Sequence, residues 1–389
     1  MLMCTTTECR KLHAGEMHAL SVLLNTAFTG AADSRHFEDG LPKMWVDDDA
    51  HMQKHIAVFE NGNMAGAVGV YPYDVYIGGR KLRFATVGNI GVLPEYRGRG
   101  YMQLLMDAAM AELSALSVDV SRLGGLRSRY ERYGYEMCGI NYMVRLTQRN
   151  VSEANAGAGI TFAPIGETDM QALDFADALY RKNAIACDRG SCRDRYAALC
   201  AWKNRPYLAV RDGERIGYLS CAPGGGTVAE HGAVTPVLQT EMLCAWCAQS
   251  GRDEIRFEMY PWDPAFCREV GRICETYSAS AATQCKILRW DRFADALLGL
   301  KRTLMPLPAG RVVLGIGGFG ALAMEVGADC TQVTVTTEVP TVSVDALTAA
   351  RMLSGTLSPV LCAPLPDDAA RLLGAWLPLP FSWNGQDRV

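Results

Sequence analysis

A chain of 389 residues is long enough for two or three domains, each with its own core. Apolar residues make up 49% and charged residues 21%, the balance of a folded globular protein and not of a disordered one. A net charge of −4 speaks against a nucleic-acid binder and favours small cationic partners.

The amino-terminal stretch "MLMCTTTECRKLHAGE" lacks the basic start and apolar run of a signal peptide, so a cytoplasmic protein is expected. "GEMHALSVLLNTAF" follows with apolar residues at helical spacing. "GAADSRHFEDGLPKMWVDDD" is acidic; Asp33, Glu38 and Asp47 to Asp49 are candidates to recruit an amine, with Trp45 as a wall. His51 and His55 are four apart, but the chain enters a strand, "HIAVFE", at His55, so no metal site is expected there. That strand, the turn "NGN" and "MAGAVGVYPYDVYI" predict a hairpin. After "GGR" comes a further strand, "KLRFATVGNIGVL", which ends at Pro94.

Next is the most informative segment, "LPEYRGRGYMQLLMDAAMAEL", an arginine–glycine alternation that opens a helix. A helix amino terminus leaves N–H groups unpaired and carries partial positive charge. Glycines let a ligand approach the main chain, and arginines add forked donors, which together suit a pyrophosphate. No Gly-Lys-Ser/Thr follows, so nothing places magnesium, and coenzyme A fits better than a nucleoside triphosphate. "LSVDVSRLGGL" then gives a strand and a loop, and "RYERYGYE" offers Tyr130, Tyr133 and Tyr135.

The middle of the chain repeats this plan in worn form. "YLAVRDGERIGYLSC" parallels "HIAVFENGNMAGAVG", and Val234–Pro236 leads into a helix as Val92–Pro94 does. "VLQTE" stands where the first copy has "EYRGR", which localises the chemistry to the first copy. Cys244, Cys247, Cys267 and Cys274 miss the spacing of a zinc knuckle, and "TEMLCAWCAQSG" reads as a helix. The fourteen cysteines lie scattered in apolar stretches and are expected to be reduced. In the last hundred residues, Gly315, Gly317 and Gly320 match GxGxxG, but more strand follows instead of a helix, which predicts a hairpin turn. The most apolar run, Val312 to Met324, is too short and glycine-rich to span a bilayer, so no membrane association is expected.

"NIGVLPEYRGRGYMQLLM" resembles the donor-binding motif of the GCN5-related N-acetyltransferases (GNAT), Arg/Gln-x-x-Gly-x-Gly/Ala, with Arg97 and Gly100 matching and Met102 departing at the last small position. The three-part layout is similar to that of the Eis-like members. The resemblance implies an α/β (α+β) chain of tandem GNAT-fold domains, the second degenerate, then a sterol-carrier-protein-like (SCP2-like) α+β domain. The boundaries expected are 1–147, 148–288 and 289–389. It implies acetyl-CoA as co-substrate, without metal, and direct transfer to an amine: an aminoglycoside, a polyamine-like molecule or a lysine. Ile90 and Val92 would meet the thioester through the main chain, and Arg97, Gly98, Arg99, Gly100, Tyr101 and Met102 would hold the pyrophosphate. Tyr130 would be the acid, the carboxylate of Val389 the base, and the assembly a homo-hexamer. Two rival readings remain: a lipid-binding sterol-carrier-like protein with an inactive acetyltransferase domain, and a coenzyme A sensor.

Overall fold

Two hairpins with the same turn chemistry organise the molecule. The structure, a computed structural model, describes residues 6–387. Strands β1 (Thr7–Lys11), β2 (His55–Glu60), β3 (Asn63–Ile77), β4 (Arg80–Val92), β5 (Val120–Leu123) and β6 (Glu136–Thr147) form the first part. The second part holds β7 (Ile160–Pro164), β8 (Ile185–Cys187), β9 (Arg205–Arg211), β10 (Glu214–Cys221), β11 (Thr227–Ala233), β12 (Glu254–Met259) and β13 (Thr276–Ile287). The β2–β3 turn puts Asn61 and Gly62 at φ 50° and 81°, and the β9–β10 turn puts Asp212 and Gly213 at 51° and 82°. Two left-handed residues in succession match the twist of the strands they join, and Asn-Gly or Asp-Gly is the usual choice.

All thirteen strands belong to one sheet, ordered β1-β2-β3-β4-β5-β13-β6-β12-β11-β10-β9-β7, with β8 pairing β3. The two halves exchange strands at its centre. β13, late in the chain, lies between β5 and β6, and β6 from the first half continues onto β12. This exchange ties the two copies through main-chain hydrogen bonds.

After the Trp290–Leu304 helix come β14 (Gly310–Ile316), β15 (Gly320–Val326), β16 (Thr331–Thr336) and β17 (Val342–Val344), in the order β16-β15-β14-β17. The glycine-rich stretch is the β14–β15 hairpin turn, as its context predicts. Helices Ala346–Ser354 and Asp367–Trp376 follow. Leu314, Met324, Met352, Leu373 and Trp376 fill the space between sheet and helices, and this core is continuous with Val75, Leu82 and Phe84 of the large sheet.

From there the chain returns across the first sheet. Phe381 and Trp383 are buried, with Trp383 stacked on Phe84 at 5.5 Å and tilted against Tyr73 at 5.7 Å. The Ile140 amide donates to the Phe381 oxygen at 2.8 Å, and the Ser382 hydroxyl donates to buried Asn141. Burial of two such rings is worth about 2–3 kcal/mol each, which holds the tail against the part of the molecule that carries the arginine–glycine loop. Among the described residues, no helix is long and apolar enough to cross a membrane.

Candidate active site

The site begins where β4 loses a partner. β4 pairs in parallel with β5 from Phe84 opposite Val120 to Val87 opposite Leu123, and the pairing stops there. From Gly88 to Val92 its edge on that side opens into a cleft. On the other side Gly88 faces Gly69 and Gly91 faces Ala67, so Asn89 and Ile90 both stand against Val68. This is a β-bulge, and Asn89 takes φ 52° to make it. Ile90 and Val92, half-buried, lie on the open edge where an N–H can face a ligand.

The bulge is braced from behind. Asn89 Nδ2 donates to the Tyr71 hydroxyl at 2.7 Å, and that hydroxyl lies 2.9 Å from His55 Nε2. The Tyr71 hydroxyl is thus held between the Asn89 amide and the His55 ring. Burial pushes the His55 imidazolium down to about 4, so the ring is neutral.

The loop runs along the mouth of the cleft. Leu93 donates to Ala65 at 3.0 Å, Pro94–Tyr96 makes a 3₁₀ turn, and Arg97 donates to Pro94 at 3.2 Å. Gly98 and Gly100 then sit at φ 80° and 82°, a conformation that suits glycine, and both face open space. The Tyr101–Ala115 helix starts at Gly100 with no side-chain cap. Its first-turn N–H groups therefore point into the cleft without an intrahelical acceptor.

The two arginines differ. Arg97 is exposed, with Nε 3.3 Å from the Val92 oxygen. Arg99 Nη1 is 2.5 Å from Glu60 Oε1 and its guanidinium lies over the Tyr96 ring at 5.2 Å. The Tyr101 hydroxyl donates to the same carboxylate. Tyr101 and Arg99 together hold the Glu60 carboxyl below the usual range. Tyr101 thus offers the cleft a main-chain N–H and not its hydroxyl; Met102 follows it, half-buried, in the first turn. Glu60 is a buried glutamate at the end of an apolar strand, and nothing in its sequence neighbourhood announces this role.

Tyr130 stands on the β5 side of the opening. Its ring lies over Gly125, two residues past β5, so closely that a Cβ there would come within 2.7 Å of it. Burial pushes the hydroxyl up, with Arg129 beside it pulling the other way, so the phenol stays protonated. The other two tyrosines of "RYERYGYE" are spent: Tyr133 donates to Gln103 at 2.8 Å, and Tyr135 pairs with Ser121 at 2.7 Å.

A cavity of about 320 Å³ opens beyond the bulge, lined by Lys43, Lys54, Tyr71, Tyr73, Arg189 and Asp387 among others. Its rear wall is an ion cluster. Arg189 meets Glu230 through both terminal nitrogens, at 2.9 and 2.5 Å, and Asp387 at 2.9 Å, while Tyr180 donates to Asp387 at 2.7 Å. Burial pushes the Asp387 carboxyl up, but Arg189 outweighs it and holds it low. Gln386 is equally fixed, donating to Leu199 at 2.8 Å and accepting from Asn204 at 2.8 Å. The tail therefore delivers Asp387 to the cavity wall; Val389 lies outside the described residues.

The candidate acceptor residues of the acidic stretch lie away from the cavity. Glu38 accepts from Ser21 and Asn25 within the first half, Asp33 is exposed, and Trp45 packs against Phe37 and His55 at 6.2 Å each. None of the three lines the cavity. Cys244 and Cys247 are buried in the Pro236–Gln249 helix, where desolvation pushes both thiols up to about 12 and about 11.

The family described as "Acetyltransferase (GNAT) domain" matches residues 8–138. No curated protein matches the chain. Its fold is shared with GCN5-related N-acetyltransferases of Kribbella flavida (17% identity, TM-score 0.65, 95% of each chain) and Anabaena variabilis ATCC 29413 (14%, 0.68, 97% of this chain and 98% of that one). Eis1 from Mycobacterium abscessus is similar over 97% of this chain and 99% of its own, at 16% identity and TM-score 0.66. The bulged, splayed β4, the loop and the uncapped helix all fall inside the matched segment. Residues 8–138 match the acetyltransferase (GNAT) domain, and on that match the protein is an acyltransferase.

Proposed function

We propose that the protein is an acetyl-CoA-dependent N-acetyltransferase that transfers acetyl directly to an amine. The observation that carries this is a helix amino terminus left uncapped beside a strand edge left unpaired, in one of two copies of the same plan. The residues fit the donor: N–H groups from Gly98 to Met102 and the guanidinium of Arg97 suit a pyrophosphate, with Arg99 shared with Glu60. The free edge of β4 at Ile90 and Val92 offers donors to a thioester oxygen, which gains charge as the amine attacks. The nitrogen–carbon bond forms, the carbon–sulfur bond breaks, and the leaving thiolate takes the Tyr130 proton. The ammonium proton leaves to water.

In this reading residues 1–147 form the catalytic domain and 148–288 its degenerate copy, in a cytoplasmic homo-oligomer. Residues 289–389 form a sterol-carrier-like unit that delivers the tail. The acceptor is an amine; its cavity is lined by Lys43, Lys54 and Arg189 and by Asp188, Asp194 and Asp387. Calorimetric titration with acetyl-CoA tests the donor site. Wild type should bind, and Arg97→Ala with Arg99→Ala should bind about 10- to 100-fold more weakly, as expected for lost charge-assisted hydrogen bonds. Absence of heat with wild-type protein would remove the reading.

A further inference from the structure

The cavity's charges are unequally spent. Of its carboxylates, Asp387 is held by Arg189 and Tyr180, and Asp194 accepts from the Ser191 amide and hydroxyl at 3.1 and 2.6 Å. Asp188 accepts from Gly190 at 3.0 Å. Arg189 is saturated by Glu230 and Asp387. The two lysines are different. Lys43 Nζ donates to the Gln386 main-chain oxygen at 2.9 Å and feels Asp387 only at longer range, and Lys54 feels Asp48 and Asp194 only at longer range. Neither is in an ion pair among the described residues, and both line the same cavity. A half-buried ammonium without a carboxylate costs free energy that a ligand anion would recover.

Resting on the acetyltransferase reading of the same site, we infer that the acceptor is an amine that also bears a carboxylate, such as an amino acid or a short peptide, and that Lys43 and Lys54 bind that carboxylate. The volume of about 320 Å³ suits a molecule of that size. Tyr71 and Tyr73 would form the wall along which its uncharged part lies, between the lysines and the bulge of β4.

The test compares acetylation of amino acids and dipeptides with that of their carboxamides, followed by release of coenzyme A thiol. Wild type should favour the free acid by about 10-fold or more in kcat/KM, the range of a charge-assisted hydrogen bond. That ratio should fall toward unity in Lys43→Met, Lys54→Met. Lys54→Gln alone, a milder change should the double variant not fold, should lower it partway. Carboxamides acetylated as well as acids by wild type would overturn the inference and leave the acetyltransferase standing. A ratio untouched by the substitutions would likewise overturn it, assigning the lysines to the tail. Acetylation of no amine at all, despite acetyl-CoA binding, would instead bring down the underlying reading.

Discussion

The two copies of the plan differ less in fold than in what each leaves unsatisfied. In the first, β4 leaves β5 after Val87 and the helix beyond begins uncapped at Gly100. In the second, β11 pairs in parallel with β12 only at Thr227 and Val228, so it opens in the same way. There the gap is filled. His231 Nε2 lies 2.9 Å from the Glu258 oxygen of β12, its Nδ1 lies 2.8 Å from Gln239 Nε2, and its ring packs on Phe257 and Phe266 at 5.5 and 5.2 Å. The next helix has Pro236 at its first position, and Thr235 caps it by accepting from Leu238 at 3.2 Å. Proline removes one donor and the hydroxyl takes another. The same scaffold is thus an open cleft where its polar groups are free and a structural element where its own side chains use them. Function on a shared fold resides in that difference.

The largest expected effect is on chemistry in the open copy. Tyr130→Phe keeps the ring over Gly125 and removes only the hydroxyl. Turnover should fall by about 100-fold or more, the usual contribution of a general acid, while acetyl-CoA affinity measured by calorimetry stays near the wild-type value. Full turnover in this variant would move proton delivery to another group.

What made the open copy legible in sequence is that its loop is written in glycine and arginine in one short contiguous run. The loop from Arg97 to Met102 declares its backbone conformation through Gly98 and Gly100, and its charge through the arginines. The exchange of β6 and β13 was not legible, because it pairs Arg145 with Thr276, far apart in a chain whose strands look alike. The cavity was hidden for a related reason. Lys43, Arg189 and Asp387 are charges in three separate stretches that the returning tail brings together. The acidic stretch shows the same limit, since a run of carboxylates in sequence says nothing about which are already bonded, as Glu38 is to Ser21 and Asn25.

Acid should weaken the two halves by one mechanism. Each contains a histidine held neutral, His55 behind the bulge of β4 and His231 in the closed gap, and burial pushes both down to about 4. The unfolded chain takes up protons near 6.5, so between these limits it binds more protons than the folded one, and stability is lost as pH falls from about 6.5 to 4. The loss amounts to about 3 kcal/mol for each ring. Urea midpoints at near-neutral and acidic pH report it. His231→Gln, which keeps an amide in the gap, should remove about half of the acid sensitivity. A variant as acid-sensitive as wild type would show that the second gap is not held by a neutral imidazole.

The smallest effect is the most discriminating about the comparison itself. Thr235→Ala uncaps the closed helix, so its amino terminus comes to resemble the one at Gly100. Stability should drop by about 1 kcal/mol, the usual cost of a lost cap, measured as a shift in the urea midpoint. Acetyl-CoA stoichiometry should stay at one per chain, because Pro236 still lacks an N–H, His231 still fills the gap, and no glycine or arginine stands where the first copy has Arg97 to Gly100. A second equivalent of acetyl-CoA bound by this variant would mean that the cap alone separates the two copies. The retained stoichiometry would instead assign the difference to the filled gap and the missing loop together.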